Sequence, residues 1–132
     1  MLKVCSLRQG VRVLLIDDEK TIRRAILFAL RGRGVEALEC QNALEALQRP
    51  DLERFDLMIV DLNLPLLSGE EFLQKLRSLH VLAPLILFTS ENPAIIQQHI
   101  PENDRVKIIS KDLSLNEILH EIDHFIQPSF IK

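Results

Sequence analysis

The sequence predicts an α/β protein built on one doubly wound sheet of five parallel strands. Short apolar runs alternate five times with stretches whose apolar residues recur at helical spacing. Parallel neighbours in a sheet need crossover connections, and these are right-handed, so the intervening helices must cover both faces. In such sheets, ligands bind beyond the carboxyl ends of the strands, where the strand order reverses.

The first two strand and helix units occupy residues 11–50. An apolar run forms the first strand, and the helix after it has one apolar face and ends at Gly32 and Gly34. The second strand is shorter and weaker, and the second helix begins at the capping pair Asn42 and Glu45. The predicted bounds are residues 11–16 and 35–39 for the strands, and residues 19–33 and 42–48 for the helices.

The remaining three units occupy residues 57–127. The strands are three further apolar runs, over residues 57–61, 85–89 and 105–110. Capping pairs begin the third and fifth helices, a proline follows the cap of a short fourth helix, and prolines stand beyond the last two helices. These markers are Ser68 with Glu71, Asn92 with Pro93, Ser114 with Glu117, Pro101 and Pro128.

Composition limits the function classes. The 132 residues suit one domain, which we place at residues 11–127 between an N-terminal tail (1–10) and a C-terminal tail or linker stub (128–132). A net charge of −3 disfavours direct nucleic-acid binding, and no apolar stretch is long enough to cross a bilayer or resemble a signal peptide. We therefore expect a cytoplasmic protein without membrane contact. Cys5 and Cys40 are too few and too far apart for a disulfide scaffold or a zinc site.

Chemically active side chains stand at the ends of four predicted strands. Asp17 and Asp18 close the first strand, Asp61 closes the third, Thr89 closes the fourth and Lys111 follows the fifth. The carboxyl ends of parallel strands meet at one edge, so three acids, a hydroxyl and an amine are expected together. Two or three carboxylates at close range cannot all stay ionised unless a cation shares the site.

This residue set fits phosphoryl transfer. Oxygen ligands from a few carboxylates suit Mg²⁺, and a carboxylate such as Asp61 can attack phosphorus to form an aspartyl phosphate. Lys111 would place positive charge at the transferred group, and Thr89 would donate a hydrogen bond to it. Each residue also has a plainer interpretation: Asp17 and Asp18 could cap a helix, Lys111 could be solvated, and Thr89 could bond the backbone. Their joint placement at successive strand ends favours a functional site.

The pattern resembles the receiver domains of two-component response regulators, over nearly the whole chain. In that family an acidic pair after the first strand holds Mg²⁺, an Asp after the third strand is phosphorylated, and a Thr or Ser and a Lys follow strands four and five. The intervals are similar to those of single-domain chemotaxis regulators: 43 residues from Asp18 to Asp61, 28 more to Thr89 and 22 more to Lys111. The motif D-x-N-x-P-x-x-x-G that begins at Asp61 is also intact.

The resemblance implies a fold and a role for each site residue. The fold is the flavodoxin-like (βα)5 receiver fold with strand order 2-1-3-4-5. Asp61 is the phosphoacceptor assisted by Thr89 and Lys111, and Mg²⁺, or Mn²⁺ in its place, is the cofactor. The further roles are metal ligation by Asp17, Asp18, Asp61 and the backbone carbonyl of Asn63, control of a short phosphoryl lifetime by Asn63 and Glu91, and switching by Thr89 and Ile108.

The resemblance also implies partners. A histidine kinase or a histidine phosphotransfer protein would supply the phosphoryl group, and a downstream effector protein would bind the last helix and its neighbours. The chain would be a monomer or a phosphorylation-dependent dimer. It would be a signalling protein with self-phosphorylation and dephosphorylation chemistry, and not an enzyme acting on an external substrate.

Two positions depart from the family pattern. The lysine is usually followed by proline, whereas Asp112 follows Lys111 here, so the Lys111–Asp112 bond is expected either trans with a reshaped loop or held cis by packing. Ile108 stands where many members have Tyr or Phe, so the usual aromatic relay cannot operate. We expect phosphorylation to act instead through the loop at residues 89–91 and the fourth helix, with a smaller change at the fifth strand.

Two other functions remain open. An interaction module that keeps the fold and works without phosphate would suit the changes at Ile108 and Asp112, but the complete acceptor set opposes it. A Mg²⁺-dependent phosphohydrolase with an aspartyl intermediate would want a second acid two residues after Asp61, where Asn63 stands.

Overall fold

A computed structural model describes residues 10–103 and 105–130 of the chain. They form a five-stranded parallel sheet in the order β2-β1-β3-β4-β5, which confirms the predicted fold class and strand order. Apart from Gly10, the predicted N-terminal tail lies outside the described residues. The strands are β1 (Arg12–Ile16), β2 (Glu36–Cys40), β3 (Leu57–Asp61), β4 (Leu85–Thr89) and β5 (Val106–Ser110). The helices are α1 (Lys20–Gly32), α2 (Ala43–Leu47), α3 (Gly69–Ser78), α4 (Pro93–Ile96) and α5 (Leu115–Phe130), with a short 3-10 turn at Leu52–Arg54.

The helices cover both faces of the sheet, and each face has its own apolar core. On one face α1 and α5 pack on side chains of the central strands. On the other face α2, α3 and α4 pack on the alternate side chains of the same strands. All five side chains of β3 and of β4 are buried, as expected for strands covered from both sides. The two cores fix the central strands, and therefore the residues at their carboxyl ends.

The predicted helix starts are confirmed where they rest on capping residues. Ser68 Oγ accepts a hydrogen bond from the Glu71 N–H, and the Glu71 carboxylate accepts one from the Ser68 N–H, so α3 begins with a complete capping box. Ser114 and Glu117 make the same reciprocal pair before α5. Asn42 caps α2 through the Glu45 N–H. A side chain that satisfies a free backbone donor thus marks each start correctly.

Several predicted bounds are wrong, each for a local reason. The second strand begins at Glu36 and not at residue 35, because the Val35 N–H bonds the Leu30 carbonyl at the end of α1 and is lost to the sheet. The fourth helix, by contrast, ends at Ile96, ahead of Pro101 as predicted, and His99 then bonds three residues back in a tight turn. The fifth helix continues past Pro128 to Phe130. Proline removes one N–H donor, but its fixed φ is helical, so the helix does not have to end there.

Candidate functional site

The site lies at the carboxyl edge of the sheet, around β1, β3, β4 and β5. Asp61 and Thr89 are the last residues of β3 and β4, and both are buried. Asp17 follows β1 and is fully buried, whereas its neighbour Asp18 is exposed. Lys111 follows β5, with its side chain only 9% exposed. The structure thus brings together the strand-end residues that the sequence predicted.

Lys111 lies at the centre of this group. Its Nζ is 3.1 Å from Asp61 Oδ2, 3.3 Å from Asp17 Oδ2 and 2.7 Å from Glu19 Oε1. Burial works to lower the pKa of Lys111, but the hydrogen bond to Glu19 and the charges of Asp17 and Asp61 outweigh it and raise that pKa. The amine is therefore a permanent cation. It also lies close enough to the Asp61 carboxylate to contact a group bonded to it.

Three carboxylates converge beside the lysine. Asp17, Asp18 and Asp61 each offer an oxygen within 4.8 Å of the others. Asp17 Oδ1 accepts a hydrogen bond of 2.7 Å from the Glu19 N–H, whereas the buried Asp17 Oδ2 has the Lys111 ammonium at 3.3 Å and no hydrogen bond from the described residues. Burial raises the pKa of Asp17, against the lowering effects of the Glu19 N–H and the Lys111 ammonium. A buried carboxylate oxygen without a hydrogen bond, among three converging acids, fits a divalent cation with oxygen ligands.

The loop after β3 holds the Asp61 carboxylate in place. Asp61 Oδ1 accepts a hydrogen bond of 3.0 Å from the Asn63 N–H, and the Gly69 N–H bonds the Leu62 carbonyl at 2.9 Å. A Cβ on Gly69 would stand 2.8 Å from the Asp61 carbonyl oxygen and from the Leu62 Cα. The last residue of the motif must therefore be glycine for α3 to begin this close to the acceptor strand.

Thr89 is tied to the loop that follows β4. Its Oγ1 accepts a hydrogen bond of 2.9 Å from the Glu91 N–H, and its carbonyl accepts one of 2.8 Å from the Lys111 N–H. The first bond uses a lone pair of the hydroxyl and leaves its proton available. Glu91 and Asn63 are both exposed at the mouth of the site, in position to meet an incoming molecule.

Comparison with known proteins decides the family. The family model described as the response regulator receiver domain matches residues 13–123. The chain belongs to this receiver family. Its structure is similar to that of the chemotaxis response regulator CheY4 of Vibrio cholerae, with a TM-score of 0.75 and 26% identity over 87% of this chain and 98% of that one. A CheY-like receiver from Methanospirillum hungatei JF-1 gives a TM-score of 0.73 at 23% identity, over 89% of this chain and 94% of the other.

Two longer proteins are also similar to this chain. It is 28% identical to the alkaline phosphatase synthesis transcriptional regulatory protein PhoP of Bacillus subtilis over 81 residues, and this aligned part covers 61% of this chain and 34% of PhoP. It is 25% identical to the CAI-1 autoinducer sensor kinase/phosphatase CqsS of Vibrio cholerae over 118 residues, and this aligned part covers 84% of this chain and 17% of CqsS. The chain thus spans a minor part of these two relatives. Among the described helices, none has the length and apolar character that a membrane span needs.

The two departures from the receiver pattern have clear structures. The Lys111–Asp112 bond is trans, and the Asp112 N–H donates to Ser110 Oγ at 3.0 Å, so a tight turn replaces the usual proline. Ile108 is 4% exposed and packs in the core beneath α4. Its backbone N–H, on the open edge of β5, donates to Glu102 Oε2 at 2.7 Å. This edge is therefore tied to the segment that follows α4.

Two residues that support the site were missed at the sequence level. Glu19 binds Lys111, and it could have been noticed as a third consecutive acid after β1. Arg23 is buried, donates to the Asp17 carbonyl and pairs with Glu39 at 2.6 Å. Nothing in the sequence separates Arg23 from the other cations of α1, because its contacts come from the packing of α1 against β2.

Proposed function

We propose that this receiver domain takes a phosphoryl group from a phosphohistidine onto Asp61, and that the added charge changes its contacts with a partner protein. The observation that supports this proposal is the placement of the Asp61 carboxylate. One of its oxygens lies 3.1 Å from the Lys111 ammonium, whose side chain is 9% exposed, and the carboxylate belongs to a group of three acids that suits a divalent cation. That arrangement offers a nucleophile together with the charge needed to hold a phosphoryl group.

Each residue then has a defined part in the transfer. A carboxylate oxygen of Asp61 forms a bond to phosphorus, the N–P bond of the phosphohistidine breaks, and its electron pair leaves with the imidazole. Lys111 pairs with a phosphoryl oxygen, which requires it to loosen its 2.7 Å contact with Glu19. Thr89 turns its free hydroxyl proton toward a second phosphoryl oxygen.

The acids fit Mg²⁺, with Mn²⁺ as an alternative. Asp17, Asp18, Asp61 and the backbone carbonyl of Asn63 would hold the ion, and Mg²⁺ keeps several waters when it has few protein ligands. When bound, the ion offsets the negative charge of the acids and of the transferred group. Hydrolysis of the aspartyl phosphate is governed in this proposal by Asn63 and Glu91, because these exposed residues flank the path of an attacking water.

In this proposal the signal leaves the site through the loop after β4 and through α4, with a smaller change at β5. A phosphoryl group on Asp61 draws the Thr89 hydroxyl toward it. Before phosphorylation this hydroxyl accepts a hydrogen bond from the Glu91 N–H, so its movement pulls on the Glu91 backbone. Glu91 precedes α4, and the segment after α4 holds the β5 edge through Glu102 and Ile108. We expect an effector protein to read this change at α5 and its neighbours. A cytoplasmic location and a histidine kinase or histidine phosphotransfer donor complete the proposal.

One alternative has specific support. The aliphatic Ile108 and the trans bond before Asp112 suit a receiver-like module that binds partners without phosphate. A phosphohydrolase has less support, because the exposed Asn63 stands where a second acid is needed.

Incubation with Mg²⁺ and acetyl phosphate, followed by intact-protein mass spectrometry, separates the three functions. The receiver gains the mass of one phosphoryl group, and Asp61→Asn gains none. No gain in either protein would support the module. Rapid turnover of phosphomonoesters without a lasting mass gain would support the hydrolase.

A further inference from the structure

Helix α1 carries an exposed aromatic ring within a row of cations. The Phe28 side chain is 82% exposed, the highest value among the large apolar residues of the described chain. Lys20, Arg24 and Arg31 lie on the same side of the helix as Phe28, because the four residues follow one another at spacings of four, four and three. We call these four residues the α1 ridge. A single exposed apolar residue is ordinary, but one framed by three cations has the composition of a binding surface.

The cations of the ridge have no carboxylate partners among the residues that the structure describes. Elsewhere on and beside α1, Arg23 pairs with Glu39 and Arg33 pairs with Asp123. Helix α1 itself contains no acid. Arg31 donates through Nε and Nη2 to the Ala37 carbonyl at 3.0 and 2.6 Å, which fixes its guanidinium without neutralising it. A local row of unpaired cations therefore persists on a chain whose net charge is −3.

A groove runs beside the ring, between α1 and the edge strand β2. Its volume is about 470 Å³, and it is lined by Arg24, Leu27, Phe28, Arg31 and Glu39. Leu27, at 2% exposure, forms an apolar floor, and the two arginines stand at the rim. An aliphatic side chain entering this groove would bury itself against Leu27 and Phe28, with acidic neighbours facing the arginines.

We propose that the α1 ridge binds an acidic amphipathic helix of a partner protein. Its apolar side chains would pack against Phe28 in the groove, and its carboxylates would pair with Lys20, Arg24 and Arg31. The ridge lies beside β2, whose Glu39 lines the same groove, whereas Ile22 and Ala29 of α1 are partly buried and pack against the core. The proposal does not depend on phosphorylation of Asp61.

Other occupants fit the surface less well. A second copy could offer the acidic groove on α5 that Glu117 and Glu121 line, but this pairing joins two different surfaces and would build a ring or an open chain of copies rather than a two-fold dimer. A nucleic acid would meet only three free cations on a protein of net negative charge. A lipid surface would find one aromatic ring and little further apolar area.

Titration of the ¹⁵N-labelled protein with two synthetic helical peptides of about 20 residues tests the proposal. Both peptides carry the same leucine face, flanked by Glu in one and by Lys in the other. The Glu peptide should shift amide signals of α1 and β2. Its affinity should fall roughly tenfold in Phe28→Ala and in Arg24→Glu, and the Lys peptide should bind far more weakly. Leu79→Ala, at an exposed apolar residue beyond α3, is the matched control and should bind like the wild type.

The proposal fails if the two peptides bind equally, if the shifts lie outside α1 and β2, or if Phe28→Ala binds as well as Leu79→Ala. Sedimentation of the protein alone tests the second-copy alternative, and association that Phe28→Ala abolishes would overturn the proposal. Tighter binding of a single-stranded oligonucleotide or of anionic vesicles at the same residues would also overturn it. Phe28 and Leu79 are both exposed, and alanine is the best helix former at the Phe28 position within α1, so folding is not at risk in either alanine variant.

Discussion

Replacing Gly69 with alanine tests how closely α3 approaches the acceptor strand. The added Cβ would stand 2.8 Å from both the Asp61 carbonyl oxygen and the Leu62 Cα, where ordinary contacts are 3.4–4 Å. Both neighbours are backbone atoms, so no side chain can move aside. The end of β3 or the start of α3 must shift by about half an ångström or more, and that shift moves the Asp61 carboxylate relative to Lys111.

The expected magnitude comes from two opposing effects. Alanine in place of glycine stabilises a helix by up to about 1 kcal/mol, whereas forcing atoms into a packed region costs about 1–3 kcal/mol. We expect Gly69→Ala to lower the free energy of unfolding by about 1–2 kcal/mol. Gly32→Ala is the matched control, because nothing lies within 4 Å of that added Cβ and Gly32 is also helical. It should raise the free energy of unfolding by about 0.5–1 kcal/mol.

Urea unfolding followed by circular dichroism measures both variants, since the chain has no Trp or Tyr to give a fluorescence signal. The phosphorylation rate of Gly69→Ala with acetyl phosphate should also fall, while that of Gly32→Ala should not change. If Gly69→Ala is as stable as the wild type and reacts at the same rate, the close approach of α3 to β3 has no functional role.

Three further predictions follow from the described contacts. Mg²⁺ at a hundred times its dissociation constant should add about 2.7 kcal/mol to the free energy of unfolding of the wild type, which a rise in melting temperature would show. Asp18→Asn should lose most of this effect, because it removes one carboxylate of the three-acid group and Asp18 is exposed, so the change does not disturb the core. Hydrogen bonds from Arg49 lower the pKa of Asp51 from 3.8 to about 2. This carboxylate therefore stabilises the fold above pH 3.8, and its contribution is lost as the pH falls from 3.8 through 2. In Asp51→Asn, the free energy of unfolding should fall less steeply with pH across that window. Leu66 is 76% exposed and has a φ of 70°, a left-handed conformation that costs a non-glycine residue about 1 kcal/mol. Leu66→Gly should therefore have a higher urea midpoint of unfolding than the wild type. An unchanged or lower midpoint would contradict this prediction.

The sequence was sufficient for the fold because its signals are local and agree with one another. Apolar runs of strand length, capping pairs and helical spacing each specify one element, and alternation then leaves few topologies. The same alternation puts Asp61, Thr89 and Lys111 at one edge without any knowledge of distances. Elements without such signals were less accurate: α4 has a start marked by Asn92 and Pro93, but nothing marks its end at Ile96.

What the sequence could not show depends on contacts between distant segments. The pairing of Lys111 with Glu19 joins residues 92 positions apart, and the Arg23 contact to the Asp17 carbonyl depends on how α1 packs. The bond from Ile108 to Glu102 is equally invisible, because it uses a backbone donor on a sheet edge. These contacts determine how the site is supported and linked to its surroundings, whereas the strand-end residues determine its chemistry.

The central claim is that Asp61 accepts a phosphoryl group, and a direct measurement is available. The protein is incubated with Mg²⁺ and acetyl phosphate, and the acyl phosphate is then trapped with borohydride. After digestion, mass spectrometry locates the residue that carried the phosphoryl group. We expect modification at Asp61 alone, absent without Mg²⁺ and greatly reduced in Lys111→Met. Modification at another residue, or none at Asp61 in a folded protein that binds Mg²⁺, would contradict the account.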